Sequence, residues 1–202
     1  MKDIGFARFL VQLNGAVPLY LLGVDALRGQ LGANPVNFAI RTTGLLALIF
    51  LLLSLATTPV GRLTGWTGLT QLRRTLGLYA FFHALLHFTI FFVWDRALSV
   101  ESTLSEMVLR PYLTVGATGL LLMVPLAATS TDGMIRRLGA ARWKRLHRLA
   151  YVAAIAGAVH YYMLVKADIR QPVAFAIVLA ILLGYRMAAH LLKRRRGARK
   201  LT

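Results

Sequence analysis

The chain has 202 residues, 57% of them hydrophobic and 15% charged, with 24 Lys and Arg against 7 Asp and Glu for a formal net charge of +17. So apolar a composition excludes an ordinary soluble domain of this length. The absence of cysteine excludes disulfides, cysteine-ligated iron–sulfur clusters and haem attached through C-x-x-C-H.

Apolar blocks of membrane-spanning length recur along the chain. They predict an all-α, polytopic helix bundle with six transmembrane helices, near 9–27, 40–58, 76–94, 112–130, 149–166 and 172–191. Each is about 20 residues, enough to cross ~30 Å of hydrocarbon at ~1.5 Å per residue. The first is longer than a signal-peptide core, and no small-residue cleavage pattern follows "LLGVDALRGQ", so it reads as a retained span. "GANPVN" (32–37) and "ATTPVGRLTGWTG" (56–68) carry turn chemistry. "LSVESTLSEMVLRPY" (98–112) reads as a short outer helix, with Leu98, Leu104, Val108 and Leu109 roughly on one side. "STDGMIRRLGAARWKRLH" (130–147) reads as an interfacial segment. No internal repeat is evident, and residues 1–202 form one membrane domain.

The positive charge is sorted between alternate loops. The N-terminus, the 59–75 and 131–148 loops and the tail hold Lys2, Arg8, Arg62, Arg73, Arg74, Arg136, Arg137, Arg142, Lys144, Arg145, Arg148 and "KRRRGARK" (193–200). The other loops hold Arg28, Arg41, Arg96, Arg110, Lys166 and Arg170, with most of the acids. Cytoplasmic loops are the ones enriched in Lys and Arg, so both termini are expected inside. The tail is expected to meet anionic membrane lipid headgroups, and the pattern argues for topology rather than nucleic-acid binding.

There are five histidines: His83, His87, His147, His160 and His190. The spans hold almost no carboxylates for a proton relay, and H-E-x-x-H is absent. Buried neutral imidazoles on facing helices suit a planar cofactor with open axial positions, namely haem. His87 lies thirteen residues beyond Arg74, and His160 twelve beyond Arg148. These spacings correspond to ~20 and ~18 Å of helix. The two spans run in the same direction, so the depths match, and His87–iron–His160 is the preferred pair. His147, among cations at the inner interface, is either an interfacial residue, a ligand of a second haem, or a flavin or quinone contact. His83 shares a face with His87 and reads as a ligand, a support for the haem or a helix–helix hydrogen bond. His190 reads as an interfacial tail residue. Arg41 and Arg110, at the outer mouths of their spans, suit haem propionates or snorkel to the interface.

"GLYAFFHALLHF" (77–88), "RPYLTVG" (110–116), "LAATSTDGMIRRLGAARWKRLHRLAY" (126–151) and "AVHYYMLVKAD" (158–168) closely resemble the MsrQ (YedZ-like) family, within the ferric-reductase-like transmembrane group. That family supplies the haem-binding membrane subunits of bacterial MsrPQ methionine-sulfoxide reductase systems. The resemblance covers nearly the whole chain. It implies a multi-pass b-type cytochrome of the bacterial inner membrane, associated with FMN. Its electrons come from the quinone pool or a cytosolic flavin reductase and go to MsrP, a periplasmic molybdenum enzyme. It implies haem histidines at His87, His147 and His160. Where the larger group places a fourth histidine, this chain has the region of Arg74, which leaves room for FMN or a quinone near His147, Arg73 and Arg74. The rival readings are a cytochrome b subunit or ferric reductase of another redox system, and a non-redox transporter or scaffold.

Overall fold

The computed structural model describes residues 4–198, and side chains as far as residue 192. Every regular element among them is helical. Lys2, counted among the inner-side cations, and the "KRRRGARK" side chains, expected at anionic headgroups, lie outside the described side chains. The helices are α1 (Ile4–Leu27), α2 (Pro35–Leu63), α3 (Leu72–Ile90), α4 (Val100–Leu109), α5 (Pro111–Ala128), α6 (Asp132–Leu138), α7 (Ala140–Leu146), α8 (Leu149–Leu164) and α9 (Arg170–Ala198).

Their boundaries follow local chemistry. The Asn34 side chain caps α2 by accepting from the Asn37 N–H at 3.0 Å, with Pro35 in the first turn. Ser99 caps α4 and Thr131 caps α6 in the same way. Gly139, at φ 75°, ends α6 and starts α7, a conformation most open to glycine. A π-turn, Phe91–Asp95, finishes α3. The short outer helix expected within 98–112 is α4, with Leu104, Val108 and Leu109 exposed. The interfacial segment expected at 130–147 is the pair α6 and α7.

Five segments are long and apolar enough to cross a membrane: α1, α2, Thr67–Asp95 around α3, α5 and Arg170–Leu192 of α9. The chain is thus a multi-pass membrane helix bundle. The remaining expected span, 149–166, appears as α8, whose 16 residues extend ~24 Å. It begins at the expected residue, after a turn at His147 and Arg148, and ends two residues early, where Val165 is extended.

The core gathers on α2, through Leu48, Phe50, Leu51, Leu52 and Leu55. Leu72, Leu76 and Ala80 of α3, Ala153, Ala154 and Ala158 of α8, and Leu179 and Leu182 of α9 join it. The small residues of α8 let α5 approach closely: a Cβ built on Gly119 would sit 3.4 Å from the Ala156 Cβ. Small faces of this kind let membrane helices pack where hydrophobicity gives no drive. Outward-facing Phe6, Phe9, Leu121 and Ile181 are exposed, as lipid contact allows.

The structure also shows an internal repeat that the sequence reading did not find. Helices α2 and α3 form one antiparallel hairpin; α5 and α8 form another. His87 bonds back to Ile40, 47 residues earlier, and His160 to Tyr112, 48 residues earlier. Laid on one another, the halves align Thr42-x-Gly44 with Thr114-x-Gly116, His87 with His160, and Asp95 with Asp168. The rest is masked because lipid-facing and core positions need only be apolar, so little identity survives outside the positions that handle the imidazoles.

Candidate functional site

The starts of α2 and α5 and the ends of α3 and α8 lie at one level of the bundle. There the His87 and His160 ring centres are 6.1 Å apart, with ring planes at 84°. The His87 Nδ1 lies 2.8 Å from the Ile40 carbonyl oxygen, and the His160 Nδ1 2.7 Å from that of Tyr112. A carbonyl can only accept, so each Nδ1 carries the proton and donates. Each Nε2 therefore keeps its lone pair. This is the tautomer a metal-bound histidine uses, with the second nitrogen's hydrogen bond fixing the ring.

Glycine makes room for each ring, one helical turn beyond the accepting carbonyl. A Cβ on Gly44 would lie 2.9 Å from the His87 Nδ1, and one on Gly116 2.6 Å from the His160 Nδ1. Both imidazoles remain partly uncovered. His83 is different: it is fully buried, packs against Phe50 with ring centres 5.1 Å apart, and gives its Nδ1–H to the Tyr79 carbonyl of its own helix. Its Nε2 is enclosed without a partner. One turn from His87 in sequence, it is sealed into the α2–α3 contact.

The pair fits an axially ligated iron. With about 2 Å from metal to each ring nitrogen, two imidazoles on opposite sides bring their centres to about 6 Å. The donor set, two neutral nitrogens without thiolate or carboxylate, suits haem iron held by histidine. Among the described residues no cluster of three or more His, Cys, Asp or Glu offers an all-protein metal cage.

The outer arginines are placed differently. Arg41, next to Ile40 on α2, is exposed. The Arg110 Nε meets Glu106 at 2.7 Å, and its Nη1 lies 3.4 Å from the Tyr112 hydroxyl. Glu106 also holds Arg96, at 3.3 Å, so one carboxylate ties the end of α3 to the start of α5.

His147 is at the opposite end of the bundle. It stacks on Trp143, ring centres 3.9 Å apart, and its Nε2 lies 3.2 Å from the Thr129 Oγ1. That hydroxyl gives its own proton to the Pro125 carbonyl at 2.6 Å, so it accepts from His147. The lone pair of His147 is therefore on Nδ1, the reverse of the outer pair. Burial, and after it the Arg73 charge, lower the His147 pKa to about 4, so the ring is neutral at neutral pH. Arg74 is engaged elsewhere, with Asp132 at 2.6 Å.

One residue here escaped the sequence reading. Pro59 lacks an N–H, which leaves the Leu55 carbonyl, one turn back in α2, without its helical donor. The Arg186 Nη2 of α9 fills the gap at 2.6 Å, while Nη1 donates to the Tyr151 hydroxyl at 2.9 Å. An arginine within the last apolar span was the available signal.

The fold and site define a multi-pass membrane helix bundle in which each of two hairpins presents an imidazole at one level. Residues 43–158 match the family described as ferric reductase like transmembrane component. A protein of Herminiimonas arsenicoxydans, the heme-binding subunit MsrQ of protein-methionine-sulfoxide reductase, is 47% identical over 173 residues, 85% of this chain and 79% of its own. Proteins of the same description from Rhodospirillum rubrum and Ralstonia nicotianae are 46% and 44% identical, over 90% and 92% of this chain and 87% of their own lengths. The chain belongs to the MsrQ family of ferric-reductase-like transmembrane proteins. No solved structure matches it.

Proposed function

We propose that the chain is a membrane b-type cytochrome that carries electrons across the bacterial inner membrane to a periplasmic partner. The observation that carries this reading is the pair of Nδ1-protonated imidazoles, one from each hairpin, with ring centres 6.1 Å apart. Haem iron, when bound, cycles between ferric and ferrous and so passes one electron at a time. The chain's own contribution is positional and electrostatic. Ile40 and Tyr112 fix the tautomers through their carbonyls, Gly44 and Gly116 clear the ring seats, and the helices exclude water.

In this reading α8 is a sixth span and both termini are cytoplasmic. The outer pair then faces the periplasm, where the partner is the molybdenum enzyme MsrP, which reduces methionine sulfoxide in oxidised proteins. The loop 95–111 with α4 forms the docking side. Arg41 and Arg110 stand at the outer mouth, near Ile40 and Tyr112 in sequence, and would offer cations to haem propionates. Electrons enter at the inner end, from the quinone pool or a cytosolic flavin reductase. His147, Arg73 and Arg74 offer a neutral ring and two cations to FMN, a quinone or a second haem. The names of the relatives support the haem and the methionine-sulfoxide-reductase system.

The test is a dithionite-reduced-minus-oxidised visible spectrum with pyridine haemochrome quantitation per chain. A low-spin b-type spectrum is expected. A well-folded preparation without haem would overturn the proposal and return the weight to a transporter or scaffold.

A further inference from the structure

We propose that Gly44 and Gly116, acting with the carbonyls of Ile40 and Tyr112, hold the two axial imidazoles crossed, and so fix the electronic state of the iron between them. This rests on the haem reading above and goes beyond it. An imidazole bound through one nitrogen turns easily about its own bond to the metal. What sets its orientation is the other nitrogen's hydrogen bond and the surface the ring lies against.

Both constraints are present here, twice. The Nδ1–H of each ring is tied to a carbonyl at 2.8 or 2.7 Å. Beneath it lies a glycine with no space for a side chain. A Cβ at Gly44 would meet Nδ1 at 2.9 Å and Cε1 at 3.0 Å; one at Gly116 would meet Nδ1, Cε1 and Cγ at 2.6, 2.9 and 3.1 Å. Non-bonded carbon contacts settle at about 3.5–4.0 Å, so a methyl group at either position forces the ring to turn or withdraw.

The repeat explains why the rings come out crossed. If the hairpins are related by a twofold axis passing between the rings, any tilt of one ring about the ligand axis appears as an equal and opposite tilt of the other. A tilt of about half the observed 84° on each side gives crossed planes. One carbonyl-and-glycine seat that tilts its ring by that amount, used in both halves, would therefore cross the two rings.

The consequence is electronic. Each imidazole donates π density into the iron d orbital that lies perpendicular to its own plane. Parallel rings load one orbital and split the pair, whereas crossed rings load both alike and leave them nearly degenerate. A ferric low-spin iron then shows a single feature at unusually high g in low-temperature electron paramagnetic resonance, in place of a rhombic three-line spectrum. Loss of the parallel arrangement also favours the ferrous form. Ring orientation is thus among the protein's levers on haem potential, beside ligand identity and burial.

The experiment is that spectrum on the ferric full-length protein, purified with its haem, for the wild type, Gly116→Ala, Gly44→Ala and a Gly119→Ala control. At Gly119 the added Cβ makes only ordinary contact, 3.4 Å from Ala156. The expected result is a high-g signal in the wild type and the control. Gly116→Ala should lose it, either to a rhombic spectrum at unchanged haem content or through loss of the haem, and Gly44→Ala should do so less completely. Haem with a rhombic wild-type spectrum would overturn this proposal and leave the haem reading standing. A high-g signal kept in both glycine variants would overturn the glycines' role. No haem in the wild type would overturn both.

Discussion

In the topology proposed above, the outer ends of the two hairpins present His87 and His160 as equivalents, whereas at the inner ends the same register sets Arg74 of one against His147 of the other. Outside, both rings donate from Nδ1 to a carbonyl and keep Nε2 free. Inside, His147 has its Nε2 on Thr129 and its ring on Trp143, while Arg74 turns outward to Asp132. In the reading proposed above, the symmetric end would hold one group from both sides. In the same reading, the asymmetric end, with one neutral ring and several cations, would be where electrons are admitted.

The comparison is broken most severely at the symmetric end. His160→Ala or His87→Ala is expected to abolish haem binding at the outer pair, read as the loss of that low-spin component in the reduced-minus-oxidised spectrum. Full haem content in either variant would sink the pairing. Next comes Arg186→Met, which strands the Leu55 carbonyl and is expected to cost about 1–3 kcal/mol of stability, measured by unfolding in detergent. Pro59→Ala restores a backbone N–H at that turn. The double variant should therefore recover part of the loss, and strict additivity would show that the arginine is not answering the proline.

His147→Ala is expected to leave the outer pair loaded, to cost about 1 kcal/mol through the lost Thr129 hydrogen bond, and to slow reduction from the inner side. Loss of all haem in this variant would show that the ends are not independent. The smallest effect is expected from Arg74→Ala. Its ion pair with Asp132 is solvent-exposed, and such pairs contribute about 0–1 kcal/mol. A larger loss would mean that Arg74 faces a ligand rather than solvent.

Much of this was legible in the sequence, for identifiable reasons. Span positions follow from hydropathy, because the hydrocarbon layer sets a length that loops do not meet. The matched depth of His87 and His160 follows from counting residues from a shared basic boundary. The seats of these rings were not legible: a carbonyl has no residue signature, and Gly44 and Gly116 look like ordinary small residues until the ring above them is seen. Arg110 was readable as an outer cation and its pair with Glu106 is a local i,i+4 contact, but the second arginine on that carboxylate, Arg96, depends on how α4 folds back against the end of α3. Arg186 needed two distant facts together, a proline that removes a donor and an arginine on another helix that replaces it.

The repeat also bears on how the molecule is made. A chain inserted from its N-terminus completes its first hairpin while α8 is still unsynthesised, so His87 waits as half a clasp. Only when the second hairpin has threaded the bilayer does His160 arrive opposite it. Whatever closes the two rings is then fastened late and joins parts of the chain far apart in sequence. In the reading proposed above, a group held between the rings would be captured only after insertion had run through to the second hairpin, and a truncated chain would be left unclasped.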